Sequence, residues 1–230
     1  MRRILFHRHR RRCLVLLFAC VLLIYAVIFV LGPTAAAGPV TCDVGDQLRK
    51  QLLSLGRSSS RILSRLKITH FLCYNTLWGA LSSHQLNPWD GQFTLCCMNE
   101  DLGNFDELYL KREFSKAHLD LVYDASIGEY TIKGTRQPNL GAVRLVVFEK
   151  MSFESPQALD PARARRIGWK HRILPPNSES LDSFPERLVV PPLPKSAISG
   201  VQFPSPREGI EIQKYHFKDS WWKQGKPAGC

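Results

Sequence analysis

Two short segments of this chain have residue types and spacing suited to chemistry on phosphates. The first is Tyr74-Asn75-Thr76-Leu77-Trp78-Gly79-Ala80, and the second is Asn87-Pro88-Trp89-Asp90, running on into Gly91-Gln92-Phe93-Thr94-Leu95. A glycine-containing turn after one strand lets backbone N–H groups close on phosphate oxygens. A carboxylate on the next strand can then hold a divalent cation against them. Strand side chains alternate, so oxygens at 90, 92 and 94 would project from one face and could share an ion. Here the last two are Gln92 and Thr94. Neutral oxygens ligate Mg²⁺ weakly and do nothing to offset its charge.

The elements that must position these residues can be read from periodicity. Leu48, Leu52, Leu53, Leu55, Ile62, Leu63 and Leu66 recur at helical spacing after Asp43, a candidate cap, and Gly56 is a point of interruption. Ile68 to Tyr74 is a buried-strand candidate, Gly79 falls in a turn or short helix after it, and Phe93 to Met98 is the next strand. Leu102 to Phe114 has helical spacing; Leu119–Tyr123, Glu129–Lys133 and Ala142–Glu149 read as strands. Beyond Pro156 prolines break up long elements, apart from a short helix near Ala162 to Arg166, and the chain closes on Trp221-Trp222 and Cys230. This order predicts an α+β domain with a mixed sheet and flanking helices.

The N-terminus is organised differently. Cys13 to Leu31 is an apolar run of 19 residues, preceded by a tail, Met1 to Arg12, with six arginines and no acid. About 20 helical residues cross a hydrocarbon core, and a basic flank stays in the cytosol. The expectation is a cytoplasmic tail (1–12), a signal-anchor helix (13–31), a stem (32–41) and a lumenal domain (42–230). The rival is secretion after cleavage near Ala35-Ala36-Ala37-Gly38, although signal cores are usually only about 7–15 residues long. The formal charge of +11 largely reflects the tail; without its arginines, 25 basic residues face 20 acidic ones. No basic stretch is interleaved with aromatics and no zinc-finger spacing occurs, which argues against nucleic acid as a partner.

Cys42, Cys73, Cys96, Cys97 and Cys230 lie beyond the apolar run, where an oxidising lumen would permit at most two internal bridges. Cys42 with Cys73, and Cys230 with one of the adjacent pair, is the expected pairing. Cys96 and Cys97 themselves point to opposite faces of a strand. His70 and His84 have acid–base chemistry available, but a lone histidine on a strand or in a loop is more often packed or solvated. Arg163, Arg165, Arg166, Lys170 and Arg172 form a basic cluster that could meet an acidic glycan or a diphosphate.

The two opening segments resemble the LicD and fukutin family of phosphosugar and phosphocholine transferases. Thr76, Leu77 and Gly79 match that family's turn, Asn75 stands where glycine is usual, and Pro88-Trp89-Asp90 matches the start of its acidic strand. The resemblance implies a nucleotidyltransferase-like mixed-sheet domain. It implies that Asp90 is the catalytic and metal-holding carboxylate, and that Asn75, Thr76, Gly79, Trp89 and Gln92 contact substrate. Glu149, at a strand end, is the candidate for a further metal carboxylate. It further implies a Golgi or endoplasmic-reticulum membrane protein meeting a nucleotide-activated donor, a glycan acceptor and a partner glycosyltransferase. Where the family has three acids, only Asp90 stands here. Two readings follow: an impaired, binding form of the fold, or an active transferase using Mg²⁺.

Overall fold

A computed structural model of the chain describes residues 16–23, 42–152, 162–168, 182–223 and Lys226. The N-terminal part up to Val40 is a unit of its own, in which 16–23 are helical. No helix among the described residues is long and apolar enough to cross a membrane, and most of the apolar run 13–31 lies outside them.

The second unit is an α+β domain built on a seven-stranded sheet. It opens with α1 (Asp46–Arg65), which runs through Gly56 without interruption because that glycine is pressed against the ring of Phe93. The helix ends where Lys67 turns left-handed (φ 58°) and Ile68 N–H donates back to the Leu63 carbonyl at 2.9 Å, satisfying a terminal acceptor. Then come β1 (His70–Leu72), α2 (Tyr74–Ser82) and β2 (Gln92–Met98). The expected helix over 102–114 is two, α3 (Asn99–Leu102) and α4 (Glu107–Ser115), the latter capped by the Asp106 side chain. After them lie β3 (Leu119–Asp124), β4 (Glu129–Gly134) and β5 (Ala142–Ser152).

Residues Ala162–Arg166 are a strand, β6, rather than the short helix expected. The alternating Ala-Arg-Ala-Arg pattern has a period of two, and Ala164 is buried while its neighbours are half-buried. A short β7 (Ser183–Pro185), a hairpin of β8 (Lys195–Ile198) and β9 (Val201–Pro204), and α5 (Gly209–His216) complete the domain.

Long, apolar β5 is the spine. It pairs in parallel with β2 along one side, Gln92 opposite Ala142 through Met98 opposite Phe148. Its other side is shared: β4 pairs with the first half and β6 with the second, both antiparallel. The two strands meet at Gly128 (φ 65°), where a Cβ would lie 2.1 Å from the Ile167 carbonyl oxygen. Only glycine permits that approach. One face of the sheet packs on α1 and carries Phe93 against Phe203 of the hairpin (centroids 5.1 Å apart). The register puts Thr94, Arg144, Phe148 and Arg166 on the opposite face, where Phe148 also packs on Phe184.

Candidate functional site

The segment expected to form a phosphate-cradling turn is the first turn and body of α2. Its left-handed residue is Tyr74 (φ 51°), and Asn75 is not left-handed. A bulky residue in that region costs of the order of 1–3 kcal/mol and persists only when its surroundings over-determine it. They do so here. The Tyr74 hydroxyl donates to Asp182, its ring stacks on His216 with centroids 4.1 Å apart, and its carbonyl accepts from Gln213 Nε2 at 2.6 Å. Burial, with the Asp182 charge alongside, pushes the Tyr74 phenol well above its ordinary range.

Thr76 is buried and acts structurally. β1 stops at Leu72 opposite Leu95, and the next N–H of β2, that of Thr94, donates to Thr76 Oγ1 at 2.8 Å. Gly79 is also buried: a Cβ there would sit 2.2 Å from the Gln85 carbonyl oxygen, so the glycine admits the chain that returns toward Asp90. The backbone of Asn75 faces that returning chain. Its carbonyl accepts from Asn87 Nδ2 at 3.0 Å, and the Asn87 carbonyl in turn accepts from Asp90 N–H at 3.1 Å.

Asp90 is 8 % exposed. Its Oδ1 accepts from the Gln92 N–H at 3.2 Å, while Oδ2 is buried with no hydrogen-bond partner. Burial lifts the carboxyl to about 6, against the lowering effects of the Gln92 N–H and of Arg144. Asn75 Oδ1 and Trp89 Nε1 are buried and unpartnered as well, and Lys226 Nζ lies 6.0 Å from the Trp89 ring centre. Gln92 is exposed. Buried polar atoms are nearly always paired, and these three on Asn75, Trp89 and Asp90 are among those of the domain that are not.

The residue facing Asp90 is one that the motif does not announce. Arg144 of β5 lies across the parallel ladder from Thr94, and the charges of Arg144 and Asp90 act on each other. Its guanidinium is held by Glu129 of β4, whose side chain is only 5 % exposed and which also receives Arg166 of β6. Arg166 reaches on to Asp182 at 3.7 Å, and His216 Nδ1 lies 3.0 Å from the other Asp182 oxygen. Burial alone would raise Asp182, but His216, Tyr74 and Arg166 outweigh it and hold that carboxylate below its ordinary range. Arg144 likewise stays firmly charged, since Glu129, Tyr74 and Asp90 outweigh its desolvation. A signal for this chain of charges exists in the sequence, namely a lone arginine inside the apolar run Ala142-Val143-Arg144-Leu145-Val146.

Glu149 is not part of this arrangement. Gln92, two residues past Asp90, pairs with Ala142, which puts Glu149 seven residues along β5, or about 23 Å at a rise of about 3.3 Å. Alternation also turns it to the other face from Arg144. Glu149 and Asp90 therefore cannot share an ion. The charge of Arg144 acts on Asp90, and Glu129 is taken up by two guanidiniums. Among the described residues no three His, Cys, Asp or Glu side chains gather into a metal-holding group. Among the described residues, then, the donors around Asp90 do not assemble a divalent-cation site.

The other candidates separate. His70 is buried, its ring bonded to Ser60 Oγ and the Ile68 carbonyl (2.8 Å each), and burial lowers its pKa despite that carbonyl. His84 is exposed. Of the basic cluster, Arg166 joins the buried chain and Arg163 lies over the Tyr215 ring, while Lys170 and Arg172 fall outside the described residues. Cys73 is bonded to Cys96, which corrects the expected Cys42–Cys73 pairing. Cys42 is disulfide-bonded too. Cys97, on the opposite face from Cys96, is a buried free thiol whose pKa burial raises strongly.

The mixed sheet thus brings a buried carboxylate, Asp90, and a guanidinium held by Glu129, that of Arg144, to its two central parallel strands. The family model described as the LicD/FKTN/FKRP nucleotidyltransferase domain matches residues 67–208, and the chain belongs to that family. Its fold is thus that of a phosphotransferase-like, glycan-modifying group of proteins. No curated protein matches the chain.

Proposed function

We propose that this protein binds a phosphorylated ligand, a nucleotide-activated donor or the glycan that receives from one, with its capacity for transfer impaired. The single observation that carries this reading is Arg144, a firmly charged guanidinium facing Asp90 across the two central strands. A guanidinium there attracts phosphate oxygens through paired N–H donors and repels a divalent ion. Asn75, Trp89 and Asp90 offer the unmet hydrogen-bonding groups, Gln92 the exposed side chain at the rim, and Thr76 and Gly79 hold the backbone that frames them. The basic tail and apolar run support a single-pass type II protein of the Golgi or endoplasmic reticulum, positioned to serve a partner glycosyltransferase.

The alternative, an active Mg²⁺-dependent transferase of a polyol-phosphate, phosphosugar or phosphocholine group, requires a second carboxylate beside Asp90. The two part company in one experiment. The full-length chain, purified in detergent, is melted with cytidine nucleotides, with and without Mg²⁺. A rise in melting temperature that does not depend on the metal is expected. A rise seen only with Mg²⁺ would favour the transferase, and no rise at all would refute both.

A further inference from the structure

A cavity of about 430 Å³ lies between α1 and the β8–β9 hairpin. On the helix side it is lined by Arg57, Ser60, Arg61 and Ser64, which follow the i, i+3, i+4, i+7 spacing of one helical stripe. The hairpin contributes Lys195 and Gln202. Among the described residues no acid lines the cavity. Nor does any of the three cations have a salt bridge or a side-chain hydrogen bond there, although the domain pairs many of its other cations, as at Arg65–Glu113 and Lys150–Glu186. Like charges at i, i+4 on a helix are mutually destabilising, and a third cation brought in from a segment some 130 residues away adds to the repulsion. An anion in the cavity would relieve that repulsion.

The walls are fixed before any ligand arrives. Ser199 and Gly200 at the hairpin tip both have positive φ (47° and 79°), as a two-residue hairpin loop demands. Ser199 N–H is tied to the His84 carbonyl at 2.7 Å, and Phe203 is anchored inward against Phe93. The hairpin also lines the cavity with Val201, Phe203 and Pro204, the Phe203 ring being turned into the core against Phe93. The cavity's volume falls within the range of about 300–1,000 Å³ typical of small-molecule sites, more than a lone phosphate fills.

We propose that this cavity binds an anionic sugar chain, with Arg57, Arg61 and Lys195 meeting its sulfate or phosphate esters and Ser64 and Gln202 meeting its hydroxyls. The proposal stands apart from whatever Asp90 and Arg144 hold, and adds a glycan-docking site to a domain of a glycan-modifying family.

The test is equilibrium binding of a fluorescent sulfated hexasaccharide to the full-length chain in detergent at near-physiological salt. The Arg57→Gln/Arg61→Gln double variant should lose about tenfold or more in affinity, as expected when charge-assisted bonds to an oxyanion are removed. Arg112→Gln, at an exposed cation away from the cavity, should leave binding unchanged. All three positions are exposed, so melting temperatures should not fall, which separates lost binding from lost folding. The double variant should also keep the nucleotide response, so failure of this proposal and failure of the Asp90 reading are read separately. Equal loss in Arg112→Gln, equal binding of polyglutamate, or displacement by inorganic phosphate at the same molar concentration would each overturn it. The first would mean surface charge alone, the second an acidic-peptide site, and the third a lone-anion site.

Discussion

Replacing Asp90 by asparagine should make the protein more stable at neutral pH. The carboxyl is nearly buried and lifted to about 6, chiefly by desolvation, from an ordinary value of about 3.9. At about 1.4 kcal/mol for each pH unit of displacement, keeping it ionised in the folded protein costs roughly 3 kcal/mol. The amide of the variant would keep the acceptor for the Gln92 N–H but place an NH₂ donor where Oδ2 now lies without a partner, returning about 1 kcal/mol of that. The net gain is about 2 kcal/mol, or roughly 4–8 °C in melting temperature for a domain of this size. The sign depends on pH. Below about pH 4 the group is protonated in both folded and unfolded chains, and asparagine gains nothing from removing the charge. Between pH 4 and 6 the folded state binds the proton more tightly, so wild-type stability falls as pH rises through that window. Above pH 6 the full cost is present. Melting of wild type and Asp90→Asn across pH 4 to 8 should therefore give curves that converge in acid and diverge toward neutrality. A variant less stable than wild type at pH 7.5, or one shifted equally at every pH, would refute the reasoning: the carboxylate would then be held by Arg144 more strongly than burial opposes it.

Glu129→Gln should lower stability by about 3 kcal/mol, the cost of leaving Arg144 and Arg166 partly buried without their shared anion; a melting temperature within a degree or so of wild type would show that water already solvates both guanidiniums. Removing the Cys73–Cys96 bridge as the double alanine variant should cost about 3 kcal/mol, since it closes a loop with a sequence separation of 23. In the native protein Cys97 should stay unlabelled by iodoacetamide until the domain is unfolded, because burial both hides the thiol and suppresses its thiolate.

Much of the scaffold is legible because local physics determines it. The leucine spacing of α1, the apolar strands β2 and β5, and the alternation of β4 all survive into the structure, since each is a stretch whose period matches one face of the core. Expectation and structure part where short-range signals conflict. Ala162–Arg166 reads as helix on propensity, yet alternating arginines suit a strand that must bury only Ala164. Intrinsic tolerance gives the left-handed position to Asn75. Three long-range contacts to Asp182, His216 and Gln213 force that conformation on Tyr74 instead, and none of them can be read from residues near it.

The site is the least legible part for a related reason. Asp90, Asn75 and Trp89 lie in one short stretch of chain, so their motif can be read, but what faces them depends on how β2 registers with β5 some 50 residues later. A slip of one residue in that ladder would send Arg144 to the α1 face and bring a valine or leucine to its place. The register thus decides whether Asp90 meets a cation or an apolar surface. As built, positive charge is fixed into the sheet by Glu129 and Arg166 and is present before any ligand arrives. If the protein binds a phosphorylated ligand as proposed, the phosphate would gain its counter-charge without an ion from solution, and its binding should be insensitive to chelation, unlike that of a domain in which three acids grip a metal.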